Sequence, residues 1–247
     1  MSRYFLEVAY KGTNYSGVQI QHNANSIQAE LEKALQIFFK KTFTLTCASR
    51  TDAGVHALQN FFHFDTEKLS VNDLLYSLNA ILPHDIVIKN IASVKQDAHC
   101  RFDAIEREYN YFIYQNKDPF LQDRAYYFPY KLDIQKLQEA AKELLNYQDF
   151  TSFSKRNTQV RNFLCTIYKS EWVKQNESIM YRVVANRFLR GMVRGLVGTM
   201  VKIGTGKIFL SEFRTIIENR KSSMADFSAP SQGLFLTSIT YKSDIFI

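Results

Sequence analysis

Two kinds of apolar spacing take turns along this chain, and their order limits the folds open to it. Residues 3–10 are rich in aromatic and aliphatic side chains and read as a strand. Apolar residues Ile27, Leu31, Leu35, Phe38 and Phe39 then recur at helical spacing and predict a helix over 27–39, with Asn25 and Gln28 as a loose capping box. Strands are expected at 43–47, 59–64, 85–94 and 109–114, with a helix over 71–81 that stops before Pro83. The later part repeats the mixture. It has a helix over 134–145 with Leu137, Ala141, Leu144 and Leu145 as its apolar face, strands at 166–173 and 179–185, a long helix over 188–204, a shorter one over 211–219, and a last strand over 234–241. Helices interleaved with hairpin-like strand neighbours argue for an α+β fold with a mostly antiparallel sheet.

Composition narrows the class. The 247 residues are enough for one large domain or two small ones with a proper core. Hydrophobic residues make up 46% and charged residues 22%, which excludes a disordered chain, and 9 Gly with 4 Pro exclude a collagen-like or linker-dominated one. Cys47, Cys100 and Cys165 lie far apart with no CxxC, so neither a zinc ribbon nor a disulfide scaffold is expected. The five histidines (His22, His56, His63, His84, His99) are scattered and pair with no suitable cysteine, so no metal site is expected. The N-terminal stretch does not read as a signal peptide, and no apolar run approaches the ~18–20 residues that span a bilayer. A cytoplasmic protein without a membrane partner is the expectation.

The chain carries 31 Lys+Arg against 24 Asp+Glu, a formal charge of +7. Its placement says more than its size. Arg182, Arg187, Arg190, Arg194, Lys202 and Lys207 fall between 178 and 211 with no acid among them, and Lys155, Arg156, Arg161 and Lys169 fall between 150 and 170, again with no acid. On a helix over 188–204, Arg187, Arg190 and Arg194 share one face, with Leu189, Val193, Leu196, Val197 and Met200 supplying an apolar one. Two readings fit: a solvated basic stripe on an amphipathic helix, or a surface that tracks phosphates. Some of the 14 Tyr and 20 Phe beside basic residues would then stack on unpaired bases.

Ser49-Arg50-Thr51-Asp52-Ala53-Gly54-Val55-His56-Ala57 packs Arg, Asp, Gly and His into a short loop after a strand. Gly54 permits a tight turn there. A carboxylate beside a guanidinium is held ionised, which suits a nucleophile or an electrostatic stabiliser and not a general acid. A structural Arg–Asp pair in a turn is the competing reading.

The string itself resembles the signature G-R-T-D-A-G-V-H-A of the tRNA pseudouridine synthase A family, with Ser49 in place of the first Gly. Ser follows the same path if that position needs no positive φ. Further similarities run in order along nearly the whole chain. Tyr15-Ser16-Gly17-Val18-Gln19 is similar to Y-x-G-W-Q, with Val18 for Trp, and residues 79–86 are similar to N-x-x-L-P-x-D-I. His99-Cys100-Arg101-Phe102-Asp103-Ala104 is similar to H-A-R-F-x-A, with Cys100 for Ala, and Arg107-Glu108-Tyr109-Asn110-Tyr111 to R-x-Y-x-Y. Residues 149–153 match D-F-T-S-F, Asn186 and Phe188 match N-x-F, Met192 to Gly198 match M-V-R-x-x-V-G, and residues 229–234 match A-P-x-x-G-L.

The resemblance implies a fold of two ferredoxin-like halves forming one extended, mostly antiparallel sheet flanked by helices, with the active-site cleft between the halves. Residues 1–105 would carry the Asp loop, and 106–247 the active-site Tyr strand and the basic helix. It implies isomerisation of uridine to pseudouridine in tRNA, at positions 38, 39 and 40 of the anticodon stem-loop, without cofactor or metal. Asp52 takes the place of the catalytic nucleophile and Arg50 that of the arginine that intrudes where the target base leaves its stack, a step that costs a few kcal/mol. Tyr109 matches the active-site tyrosine, with Tyr111 behind it on the same strand face and Glu108 on the other; Arg194 matches the arginine that pairs with the nucleophile. A phosphate contact shared with Arg187 and Arg190 is the competing role for Arg194, and Phe188 and Val193 read as core. A homodimer whose two subunits shape a basic RNA surface is also implied. The departures at Val18, Ser49 and Cys100 are the support for a second reading, an RNA-binding or RNA-remodelling module of the same ancestry. Within the enzyme class the runner-up is another RNA or another tRNA position, with Val18 loosening a contact near the RNA.

Overall fold

The computed structural model describes residues 1–67, 69, 71–155, 160–175 and 178–247, and the backbone alone at 71–73. Arg156 of the basic segment lies outside the described residues. The chain is α+β, with mostly antiparallel strand pairing flanked by helices. It divides into two compact units, Met1–Ile105 with Leu236–Ile247, and Glu106–Phe235.

In the first unit, β1 (Ser2–Tyr10) pairs antiparallel with both β3 (His56–Thr66) and β4 (Ile86–Val94), and the short β2 (Thr46–Cys47) pairs with β3. The last strand, β9 (Leu234–Tyr241), lies beside β3. Leu236–Ile247 pack in this unit: the Gln59 side chain accepts from Ile239 N–H at 2.9 Å, and the rings of Phe5, Phe61, Tyr241 and Phe246 cluster. Register shifts in β1, between Glu7 and Val8 toward β4 and between Val8 and Tyr10 toward β3, are bulges of the kind that re-aim a side chain. They turn Tyr10 toward the loop that precedes β3.

Helix α1 (Ile27–Phe39) buries Ile27, Leu31, Ala34 and Leu35 and leaves Phe38 exposed. Its cap is Ser26, whose hydroxyl accepts from Ala29 N–H, and not Asn25; Lys40 ends it in the left-handed region. Helix α2 is Val71–Ile81. The strand expected over 43–47 shrinks to β2. Leu45 gives its N–H to Glu32 at 2.9 Å and takes the Gln28 amide on its carbonyl at 2.8 Å, so α1 side chains claim backbone groups that a strand ladder would need.

In the second unit, β8 (Ser178–Ala185) pairs antiparallel with β5 (Ala104–Tyr114) and with β7 (Ile167–Gln175), and β6 (Tyr126–Tyr127) runs parallel to β5. Helix α3 spans Ile134–Glu143, and a 3-10 turn over Leu144–Asn146 tightens its end. That turn leaves Leu144 buried but Leu145 exposed, against the expected apolar face. Helix α5 is Leu210–Glu218.

The largest difference from expectation is α4, which spans Met192–Gly204. Arg187 and Arg190 precede it, because Gly191 sits at φ +73 and breaks the helical path. All its residues are buried except Arg194 and Lys202, which are half-buried. A helix buried nearly all round carries neither a solvated basic stripe nor a phosphate-tracking one. Arg187, Arg190 and Arg194 therefore share no helical face.

Candidate active site

In the first unit the loop between β2 and β3 presents Asp52. Buried Asn60 anchors its start: its side chain accepts from Ser49 N–H at 3.2 Å and donates to Ser49 O at 2.9 Å and to the Tyr10 hydroxyl at 3.2 Å. Tyr10 in turn meets the Thr51 hydroxyl at 2.8 Å, so the β1 bulge and the loop share one polar chain. Beyond Asp52 the backbone turns back, with Val55 N–H donating to Asp52 O at 3.2 Å and Gly54 N–H to Tyr15 O at 3.3 Å. Gly54 takes φ +76, as the tight turn requires. Gly12 N–H donates to His56 Nδ1 at 3.1 Å, which fixes the neutral tautomer with its proton on Nε2.

These bonds fasten Ser49, Thr51, Gly54 and Val55 around Asp52, while no described hydrogen bond or ion pair uses its half-buried carboxylate. Arg50 is exposed, and among the described residues no ion pair joins it to Asp52, so the structural Arg–Asp pair is not what holds the turn. The Arg50 guanidinium instead lies near Cys47: burial pushes that thiol up, opposed by Arg50 and Arg101.

The motif departures find local explanations. Ser49 is not among the residues at positive φ, so serine follows the glycine path without strain. Val18 is fully buried beneath the loop, donating its N–H to Thr51 O at 3.2 Å, so its side chain offers no RNA contact to loosen. Gly17 beside it, at φ +105, passes close under the loop: an added Cβ would stand 2.9 Å from Thr51 O. Tyr15 donates to Asp85 at 2.6 Å, and burial together with that carboxylate raises its pKa. Asn79 clamps both backbone groups of Ile88 at 2.8 Å. Tyr15, Gly17 and Val18 build the loop's floor.

Cys100 corrects the reading that no cysteine suits the histidines. Ligand atoms of His63, His99 and Cys100 all lie within 4.8 Å of one another. Burial, then the charges of Arg3 and His99, push the His63 imidazole down to about 4. Part of the trio's polar capacity is already used: Cys100 N–H donates to His63 Nδ1 at 3.3 Å, the thiol donates to Thr46 O at 3.1 Å, and His99 Nδ1 accepts from Arg101 and Phe102 N–H at 3.1 and 3.3 Å. These bonds fasten the turn at 99–103 to β2.

In the second unit Tyr109 lies on β5, 6% exposed, with the half-buried Phe188 ring edge-on at 5.0 Å. Phe188 is thus a partner of Tyr109 at the surface and not core, whereas Val193 is core. Tyr111 is fully buried on the same strand face; it donates to Pro230 O at 2.7 Å, and burial raises its pKa. Glu108 points the other way and makes a two-pronged pair with Arg182 at 2.8–2.9 Å. Arg107, a motif residue without an assigned role above, is 8% exposed and donates to Asn186 O at 2.7 Å, tying R-x-Y-x-Y to N-x-F. Arg187 is half-buried near Cys165, a thiol that burial pushes up to about 11 against Arg187's opposing charge. Arg190 is exposed, and its carbonyl accepts from Lys155 N–H at 2.9 Å.

Arg194 projects from the first turn of α4 and donates through Nε to Ala229 O at 2.6 Å and through Nη2 to Phe227 O at 3.5 Å. The segment that receives it is set by α4 itself. Thr199 Oγ1 accepts from Asp226 N–H at 3.0 Å, Lys202 pairs with the Asp226 carboxylate at 3.0 Å, and Gly198 leaves no room for a Cβ against Asp226 O. Burial pushes the Asp226 carboxyl up, but the Ser228 hydrogen bonds and the Lys202 charge outweigh it and hold the group below its ordinary value. A group depressed in the folded state stabilises above its unfolded pKa and loses that effect as pH falls through the folded one. The segment at 226–230 is therefore expected to loosen below a pH of about 4. Urea titrations at pH 7 and pH 3 check this: Asp226→Asn should lose less stability on acidification than the parent chain, and an equal loss would refute the assignment.

Comparison with known proteins agrees with the motifs. A family model described as "tRNA pseudouridine synthase" matches residues 7–103 and 140–242. The chain is 45% identical over 249 residues to a Bacteroides fragilis protein named "tRNA pseudouridine synthase A", covering 100% of this chain and 99% of that one. Proteins of the same name from Porphyromonas gingivalis and Staphylococcus aureus are 43% and 38% identical, over 100% and 96% of this chain and 100% and 90% of theirs.

Proposed function

The chain belongs to the tRNA pseudouridine synthase family, and from that membership we propose that it converts uridine to pseudouridine at positions 38, 39 and 40 of the tRNA anticodon stem-loop, with Asp52 as the nucleophile. It is an isomerase that acts on tRNA. The observation that carries the proposal is the loop around Asp52: it is fastened at Ser49, Thr51, Gly54 and Val55, and the Asp52 carboxylate is left for a ligand. Pre-positioning of this kind is how an enzyme lowers the cost of bringing a reacting group to its substrate.

In this reading the uracil–ribose bond breaks, the base turns, and its C5 joins C1′. Asp52 attacks, Arg50 fills the gap left by the everted base, and Tyr109 meets the uracil, its hydroxyl assisting removal of the C5 proton. Arg194 supplies charge; two of its donors are held by Ala229 and Phe227, and the Nη1 group remains for an anion. Arg187 and Arg190 contact phosphate from the loop before α4. Residues 1–105 carry the nucleophile and 106–247 the tyrosine and the cations. No cofactor is called for. The protein acts as a cytoplasmic homodimer, and no described helix is long and apolar enough to cross a membrane.

Incubation with tRNA transcripts, followed by mapping of pseudouridine, tests the reading. Product at 38–40 is expected. Product confined to other positions would overturn the site assignment, and no product with intact tRNA binding would overturn the enzyme.

A further inference from the structure

The turn at His99–Asp103 displays an aromatic ring that nothing in the fold requires. Phe102 is 74% exposed, yet its backbone is pinned: Phe102 N–H and Asp103 N–H both donate to His99 O, at 3.1 and 3.0 Å, and His99 N–H donates to the Asp103 carboxylate at 2.6 Å. The His99 imidazole, whose Nδ1 takes two further N–H groups of the turn, lies under the Phe102 ring at 4.2 Å, and His63 backs His99 edge-on at 4.7 Å. The exposed Arg101 guanidinium sits 5.7 Å from the Phe102 ring centre. Phe120 makes the contrast. It is 80% exposed, and among the described residues it has no ring or cation neighbour.

The turn is placed as well as rigid. The Cys100 thiol donates to the carbonyl of Thr46 on β2, the strand that leads into Arg50 and Asp52. Arg50 and Arg101 both act on the one Cys47 thiol, so the two guanidinium groups attend the same end of β2.

We infer that Phe102 and Arg101 form a stacking platform for an unpaired nucleobase of the tRNA beside the target uridine, Phe102 taking the base face and Arg101 the adjacent phosphate. This rests on the tRNA reading above. An aromatic face accepts any base, and a guanidinium beside it adds attraction for both base and phosphate. Because the ring is already fixed, stacking on it costs little ordering. A protein partner would use the same ring without the salt dependence that a phosphate imposes.

Phe102→Ala should raise KM for tRNA about tenfold, within the range for loss of one stacked base, while kcat stays within about twofold. Its melting temperature should hold, since the ring is exposed. Phe102→Trp should restore KM, and Arg101→Ala should lower the slope of log KM against log salt by about one. Phe120→Ala is the control and should leave KM alone. If the parent chain makes pseudouridine and Phe102→Ala leaves KM within twofold, or acts through kcat or stability, the platform is refuted and the tRNA reading stands. If KM rises but the salt slope of Arg101→Ala is unchanged, the phosphate half is refuted. A parent chain that makes no product removes the tRNA reading and the platform with it.

Discussion

Asp52→Ala is expected to abolish pseudouridine formation, by roughly 10⁴-fold or more, as removal of a nucleophile does. It should leave the fold and tRNA binding nearly intact. The side chain is half-buried and enters no described hydrogen bond or ion pair, so its loss orphans nothing. What Asp52 gives the fold is its carbonyl, which accepts from Val55 N–H, and alanine keeps that group. The tRNA Kd should change by less than about threefold, since phosphates and not the carboxylate dominate affinity. Single-turnover mapping with a filter-binding titration on the same preparation reads both quantities. Residual activity above a few per cent of the parent rate would remove Asp52 from the nucleophile's role.

Gly12→Ala should be the most damaging substitution outside the reacting groups. Gly12 opens the 3-10 turn after β1, where its N–H donates to His56 Nδ1, and an added Cβ would overlap the Val55 carbonyl. The obstacle is backbone and not a side-chain tip, so the strand start at His56 and the Asp52 turn must both shift. Overpacking of this kind costs about 3 kcal/mol, and a displaced reacting group costs about 10²-fold in rate. Gly206→Ala provides the comparison. It sits at φ +73, whereas Gly12 is not at positive φ, but no atom lies within 4 Å of its Cβ position, so it should cost about 1 kcal/mol and leave the rate unchanged. Urea unfolding and initial rates measured on both variants decide the matter. Equal losses in the two would mean that crowding at Val55 is unimportant.

The elements legible in the sequence were those whose side-chain period matched their burial. Helix α2 and strand β9 have the bounds that periodicity predicts, and α1 does too although its cap falls one residue later. Strand β2 was obscured because Glu32 and Gln28, far off in sequence, claim the backbone of Leu45. The start of α4 is not legible, because apolar Leu189 continues the helical period while Gly191 leaves the helical path. At the site, the loop around Asp52 was legible as a string, but its support was not: Asn60, Tyr10 and Gly12 carry no local mark of their distant partners. The grouping of His63 with His99 and Cys100 likewise depends on which strand neighbours which. Arg107 and Phe188 stood in recognisable motifs, and that position was the available signal for both.

The placement of β9 has a consequence for biosynthesis. A ribosome delivers β1, β3 and β4 early, but the strand that flanks β3 follows only after the whole second unit. Until that strand emerges, the nascent first unit bears an open sheet margin with aromatic side chains around it, the kind of surface that chaperones guard and that aggregation exploits. Premature termination upstream of Leu236 would therefore cripple the half of the enzyme that was made first.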